Sequence, residues 1–259
     1  MVISNWRIAS IIVPSLFAVS ACQAKETSIA VEKAEEIIRI DGSDSEGSWG
    51  KAVWQPMTEL ILGSKPAPED FCGKFKLLWD EDFLYLLAHI QDDVLFDQNP
   101  DPLVAYWDDD CLEVFLDEDA SGGEHQFNHN AFAYHVALDN QVVDIGIGSA
   151  DQPARFILLN EHITSRWQRS SEPPYALTWE LAIRVYDDSF DERKRSIQRP
   201  VQLVKGKKMG FMLAYCDNDG SQHREHFVGS HAIEPVGGDK NLGYKTADVF
   251  GVIELLDKE

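Results

Sequence analysis

Apolar residues in this chain recur at every second position, in short runs broken by acidic and glycine-rich clusters. No stretch shows the i, i+3, i+4, i+7 recurrence of a three- or four-turn amphipathic helix. The stretch 107–124, WDDDCLEVFLDEDASGGE, is the clearest case. Leu112, Val114 and Leu116 alternate with Glu113, Phe115 and Asp117, so one set can enter a core while Glu113 and Phe115 lie on the opposite face. Asp117-Glu118-Asp119 and Ser121-Gly122-Gly123 then end the strand in a turn. Phe75 to Trp79 and Phe83 to Ile90, separated by Asp80-Glu81-Asp82, read as a hairpin. Phe132, Tyr134, Val136 and Leu138 share a face, as do Trp179, Leu181 and Ile183, and Phe211, Leu213 and Tyr215. The last of these runs ends in the turn Asp217-Asn218-Asp219-Gly220, and a final strand follows from Phe250. Regularly spaced strands with turn clusters and almost no helix predict an all-β, antiparallel β-sandwich of the jelly-roll or immunoglobulin-like kind. Residues 187–200 read as a charged surface loop.

Residues 1–21 stand apart. Arg7 precedes a short apolar run that Pro14 interrupts, too short to span a bilayer comfortably, so the segment reads as a secretory signal. It ends in Val19-Ser20-Ala21-Cys22, which resembles the lipobox of bacterial lipoproteins and implies lipidation at Cys22. Gln23 after the cysteine implies outer-membrane sorting in a Gram-negative cell, so the expected location is export with a lipid anchor in the membrane. Residues 22–36 are polar and read as a tether, and residues 37–259 as one domain with a substantial core.

Loss of residues 1–21, which hold one Arg and no acid, takes the formal charge from −21 to −22. A phosphate backbone would be repelled by such a surface, so nucleic acid is excluded, while neutral ligands and divalent cations are compatible. Beyond Cys22 the cysteines are Cys72, Cys111 and Cys216, which allow one disulfide in any of three pairings plus a free thiol. None lies in a C-x-x-C motif.

The chemistry-bearing residues gather around the 107–124 stretch. An indole at a strand entrance can cover the apolar face of a pyranose, and a carboxylate six residues on, Glu113, can accept hydrogen bonds from its hydroxyls. The alternative for Trp107 is a place in the core, with the neighbouring acids a solvated loop. Asp109, Asp110 and Glu113 also admit a glycosidase reading, which needs two carboxylates about 5–5.5 or 6.5–9.5 Å apart. G-x-S-x-G, H-E-x-x-H and P-loop motifs are absent from the sequence. His125, His129, His135, His223, His226 and His231 make a Zn or Cu site conceivable, but His125 and His129 sit in a loop-to-strand segment, where i and i+4 do not share a helix face. Acidic turns at residues 80–82 and 217–220 offer hard oxygens for calcium, without EF-hand spacing.

Several segments together resemble carbohydrate-binding module family 9, a β-sandwich related to the DOMON-like group. They are Ile40-Asp41-Gly42 with Glu46 and Trp49, Leu78-Trp79-Asp80-Glu81 with Leu84-Tyr85, residues 107–117, Gly210-Phe211, and the tail Phe250-Gly251-Val252-Ile253. They recur in family order across nearly the whole domain. The resemblance implies a non-catalytic module in which two aromatics clamp the end of a sugar chain, xylan- or glucan-derived. Trp107 matches the first aromatic and Glu113 the carboxylate; Asn241 and Tyr244 match the loop before the last strand, with Tyr where the family usually has Trp. Asn128 falls near the family's strand arginine and Ala214 near its strand glutamine. The expected ligand set is therefore Trp107, Glu113, Asn128, Asn241 and Tyr244. The family also implies structural calcium and association with glycoside hydrolases. Haem binding, known among DOMON relatives, would use Met209 or Met212 and a His or Lys as axial ligands.

Overall fold

The computed structural model describes residues 28–257. The expected signal at 1–21 and Cys22 lie outside the described residues. The strands are β1 (Ile29–Lys33), β2 (Gln55–Met57), β3 (Glu59–Gly63), β4 (Phe71–Trp79), β5 (Leu84–Asp92), β6 (Cys111–Asp117), β7 (Phe132–Ala137), β8 (Val142–Ile145), β9 (Phe156–Leu158), β10 (Ile163–Arg169), β11 (Leu177–Ile183), β12 (Lys208–Asp217), β13 (His226–Gly229) and β14 (Gly251–Leu256). Four short 3-10 turns are the helical elements among the described residues.

Hydrogen bonding runs in the order β10-β11-β5-β4-β1-β14-β12-β6-β7-β8-β9, with β13 joining β12 to β3 and β2 pairing with β4. The two halves of this path fold over each other. Phe75 of β4 meets Phe211 of β12 with ring centroids 5.7 Å apart, and Phe71 stacks on Tyr215 at 5.3 Å, although β1 and β14 separate these strands in the ladder. The result is the expected β-sandwich. The alternating inner residues build its core: Leu112, Val114 and Leu116 from β6, Phe132, Tyr134 and Val136 from β7, Trp179, Leu181 and Ile183 from β11, and Phe211, Leu213 and Tyr215 from β12. A second apolar layer, with Cys111, Phe115, Ala133, Met212, Ala214 and Cys216, covers the other face of β6, β7 and β12. Met209 and Met212 are both fully buried in these layers, packed as core side chains.

The structure departs from the sequence reading in two places. Residues 29–33 were expected in a tether, yet they form β1, which runs parallel to both β14 and β4. The sandwich is therefore mixed rather than wholly antiparallel. Only Val31 of β1 is fully buried, so the strand is held by ladders on both sides and carries little pattern of its own. Within the 187–200 loop, Glu192–Ile197 form a 3-10 turn whose Glu192 pairs with Arg155 and with His129.

The short segments that carried the resemblance are structural fastenings. Glu180 of β11 accepts backbone N–H groups from Asp41 (3.0 Å) and Gly42 (2.9 Å), and its other oxygen accepts the Trp49 indole N–H at 3.0 Å. Gly42 sits at φ +84°, and a Cβ there would lie 2.7 Å from the Trp167 carbonyl carbon, so only glycine fits. Asp80 caps the β4–β5 turn by accepting from the N–H groups of Asp82 and Phe83 at 2.8 Å, while its second oxygen accepts from Tyr85 Oη at 2.6 Å.

Candidate functional site

The outer face of β6 and β7 opens into a cavity of about 280 Å³, just under the usual range for small-molecule sites of about 300–1,000 Å³. Its lining comes from separate parts of the chain: Tyr106 and Trp107 from the 3-10 turn Tyr106–Asp108, Glu113 of β6, Ala133 and His135 of β7, Asp144 and Ile145 of β8, Phe156 of β9, and the loop residues Gln126, Ala154, Arg224, Asn241 and Tyr244. Four of the five expected ligand residues, Trp107, Glu113, Asn241 and Tyr244, thus meet in one place. Trp107 is half-buried, with Tyr106 edge-on at 5.0 Å and Phe156 tilted at 5.6 Å, and so belongs to the cavity wall rather than the core.

Asn128 does not line the cavity. Its Oδ1 accepts from Asn130 N at 2.8 Å and its Nδ2 donates to Glu124 O, so it holds its own turn. Gln126, two residues earlier, faces the cavity instead. The cationic residue at the site is Arg224, which the sequence reading missed because it arrives from an irregular loop after β12.

Glu113 is the polar centre. In register it stands between Ala214 of β12 and His135 of β7, and the small Ala214 leaves its side chain room. Its Oε1 accepts from Arg224 Nη1 at 2.8 Å and from the Cys216 thiol at 3.1 Å, and lies 2.7 Å from His135 Nε2. Burial alone would push the carboxyl up, but His135 and Arg224 outweigh it and hold it down to about 2. A carboxylate so held accepts hydrogen bonds and is a poor proton donor, the opposite of what a catalytic acid needs. Burial pushes Asp144 up to about 7, but its two oxygens accept backbone N–H bonds from Ile145 (2.7 Å) and Ala133 (3.2 Å), which tie it to the sheet.

The acids beside Trp107 fasten loops. Asp108 accepts from Arg224 N and contacts His223 Nδ1; Asp109 accepts from Gln98 N and Asn99 N; Asp110 accepts from Phe96 N at 2.6 Å and Asn218 N at 2.8 Å. The histidines likewise go to separate partners: His125 to Gly243 O, His129 to Glu192, His226 to Asp70 and Ser64 O. All three described cysteines are free thiols.

Residues 40–258 match the carbohydrate family 9 binding domain-like family. The chain belongs to that family. A curated relative, endo-1,4-beta-xylanase A of Thermotoga maritima, is 33% identical over 127 residues, which is 45% of this chain and 10% of that enzyme. The chain therefore spans only a small part of that relative's length. A family 9 module from Caldicellulosiruptor kristjanssonii, solved with cellotriose and with glucose, superimposes with a TM-score of 0.63 at 20% identity in each case. In the cellotriose complex the match covers 90% of this chain and 95% of the module. This family 9 chain and that module share the fold.

The structural calcium expected from the sequence has a fitting donor set where β5 and β12 end. Asp217 is 1% exposed, and neither of its carboxylate oxygens has a hydrogen-bond partner; Oδ1 of buried Asp92 is also unpartnered. Asp92, Asp217 and Asp219 bring donor oxygens within 4.8 Å of one another, with Asp70 and Asp93 adjacent. Burial and the nearby Asp92 push Asp217 up to about 8. A hard divalent cation would satisfy these oxygens and remove the repulsion. Of the two acidic turns singled out in the sequence, the one at 217–220 fits, whereas Asp80 is occupied by its own turn.

Proposed function

We propose that this chain is a non-catalytic module that binds the end of a glycan chain, or an oligosaccharide, between Trp107 and Tyr244, with Glu113, Arg224 and Asn241 hydrogen-bonding its hydroxyls. One observation carries this: two aromatics far apart in sequence, Trp107 and Tyr244, converge with a carboxylate held ionised on one cavity close to small-molecule size. Aromatic faces pair with the C–H faces of a pyranose, and the charged groups between them reward its equatorial hydroxyls. The cellotriose- and glucose-bound structural relative and the xylanase relative support xylan- or glucan-derived ligands. A glycan array with the protein from residue 23 onward, which keeps β1, tests the reading. Retention on β-glucan or xylan fragments is expected, and no retention on any sugar would overturn it.

In the same proposal the module is exported and held at the outer membrane by a lipid on Cys22, and structural calcium sits at Asp92, Asp217 and Asp219. One acyl chain anchors only marginally and a diacylglyceryl group firmly, so Cys22→Ser should move the protein from the membrane fraction to the soluble fraction. Unchanged fractionation would remove the anchor.

A further inference from the structure

Behind the polar wall of the cavity, the structure places two thiols and an imidazole together. Cys111 of β6 and Cys216 of β12 are direct cross-strand partners, and His135 of β7 stands beside them on the same face. Their donor atoms lie within 4.8 Å of one another and all three residues are buried. Both ring nitrogens of His135 are buried without a hydrogen bond, even though Nε2 comes within 2.7 Å of Glu113 Oε1. We propose that Cys111, Cys216 and His135 form a binding site for a thiophilic divalent cation of the zinc class, with Glu113 as the fourth donor.

Two sulfurs, one imidazole nitrogen and a carboxylate oxygen are a donor set that selects Zn²⁺ over Ca²⁺ or Mg²⁺. Tetrahedral Zn–S and Zn–N bonds of about 2.3 and 2.0 Å require donors roughly 3.5–3.8 Å apart, so drawing in Cys111, His135 and Cys216, whose donor atoms lie within 4.8 Å of one another, takes shifts on the order of an ångström. Three adjacent strands in fixed register supply the positions. Charge also balances. Metal entry releases the two thiol protons, and the proton that His135 holds against Glu113, as one divalent cation arrives, so the ionised Glu113 and its partner Arg224, at 2.8 Å, still neutralise each other. Because Glu113 and His135 also line the cavity, an ion here would change the wall that any cavity ligand meets, and the two would be thermodynamically coupled. The metal site itself does not depend on what the cavity binds.

Cobalt(II) is the probe, added to reduced, metal-free, full-chain protein. We expect one equivalent to give a thiolate-to-cobalt charge-transfer band that zinc displaces one for one. Cys111→Ala and Cys216→Ser should abolish it, and Cys72→Ser, at an exposed thiol, should leave it unchanged. Cobalt held only by the acidic cluster at Asp217 gives no such band. The proposal fails if the band is missing while peptide mass spectrometry shows Cys111 and Cys216 alkylatable, or if it survives in a folded Cys216→Ser protein. A Cys111–Cys216 disulfide that persists in reductant would also overturn it. Should the cysteine variants not fold, X-ray absorption of the zinc-loaded wild type decides: two sulfur neighbours at about 2.3 Å support the site, and an all-oxygen or all-nitrogen shell overturns it.

Discussion

Replacing Arg224 with Met should expose how strongly the cavity's electrostatics are tied to the fold. The guanidinium donates to Glu113 at 2.8 Å, and the two side chains are only 8% and 3% exposed, so water cannot take its place. The Glu113 carboxyl moves from an ordinary 4.5 to about 2 in the fold, which at about 1.4 kcal/mol per pH unit is roughly 3 kcal/mol in favour of the ionised form. Removing one partner of a buried pair typically costs about 3–5 kcal/mol, because the remaining charge is left uncompensated. His135, 2.7 Å away, stays as partial compensation, which puts the expected loss near the lower figure. Urea unfolding in zinc-free buffer at neutral pH measures it, provided the m-value is unchanged. The double variant Glu113→Gln with Arg224→Met should recover most of the loss, since neither new side chain is charged. A loss under about 1 kcal/mol in Arg224→Met, or a double variant as unstable as the two singles summed, would refute the electrostatic account.

Three further outcomes are expected. Stripping divalent metal with EDTA should lower the melting temperature and calcium should restore it, by roughly 2.7 kcal/mol at a hundredfold excess over Kd; Asp217→Asn should be blind to both treatments, and a wild type that ignores them has no calcium there. Burial holds His125 down to about 4 and His162 to about 3; the unfolded chain takes up these protons below about pH 6.5 while the fold does not, so their contribution is intact above pH 6.5 and shrinks as pH falls from there toward 3. Replacing both with Gln should flatten that acid limb of the stability curve, and an unchanged limb would place its cause elsewhere. Gly42→Ala should cost about 1–3 kcal/mol through backbone strain at φ +84°, measured by thermal melting, and a variant as stable as wild type would mean that the Asp41–Ser43 turn can shift.

The sequence disclosed the sandwich because its longest strands bury one face, and burial of one face writes a period of two into the residues. Leu112, Val114 and Leu116 are inside and Phe115 is on the other face, as the alternation required. The short and edge strands left no such mark: β2 and β9 have three residues each, and β1 is defined by two parallel neighbours rather than by its own side chains. The same contrast holds in the site. Trp107 and Glu113 sit in a well-patterned segment, and Asn241 and Tyr244 were placed by resemblance to the family's loop. Arg224 comes from an irregular loop, and only the need of buried Glu113 for a cation could have pointed to it. Asn128 was matched by position along a short segment, yet the backbone there turns on Asn128 Oδ1 and points Gln126 to the cavity. The pairing of Cys111 with Cys216 required the β6–β12 register, which no local pattern specifies.

Calorimetric titration with cellotriose, comparing the wild type with Trp107→Ala and Tyr244→Ala, tests the central claim most directly. Stacking a sugar ring on an indole buries apolar area worth around 25 cal/mol per Å², so each variant should lose about 1–3 kcal/mol of binding, roughly ten- to hundredfold in Kd. The account predicts saturable one-site binding in the wild type and that loss in both variants, with Trp107→Ala still folded because its ring lines a cavity and not the core. Binding that is equally tight in both folded variants, or absent from a folded wild type for cello- and xylo-oligosaccharides alike, would contradict it.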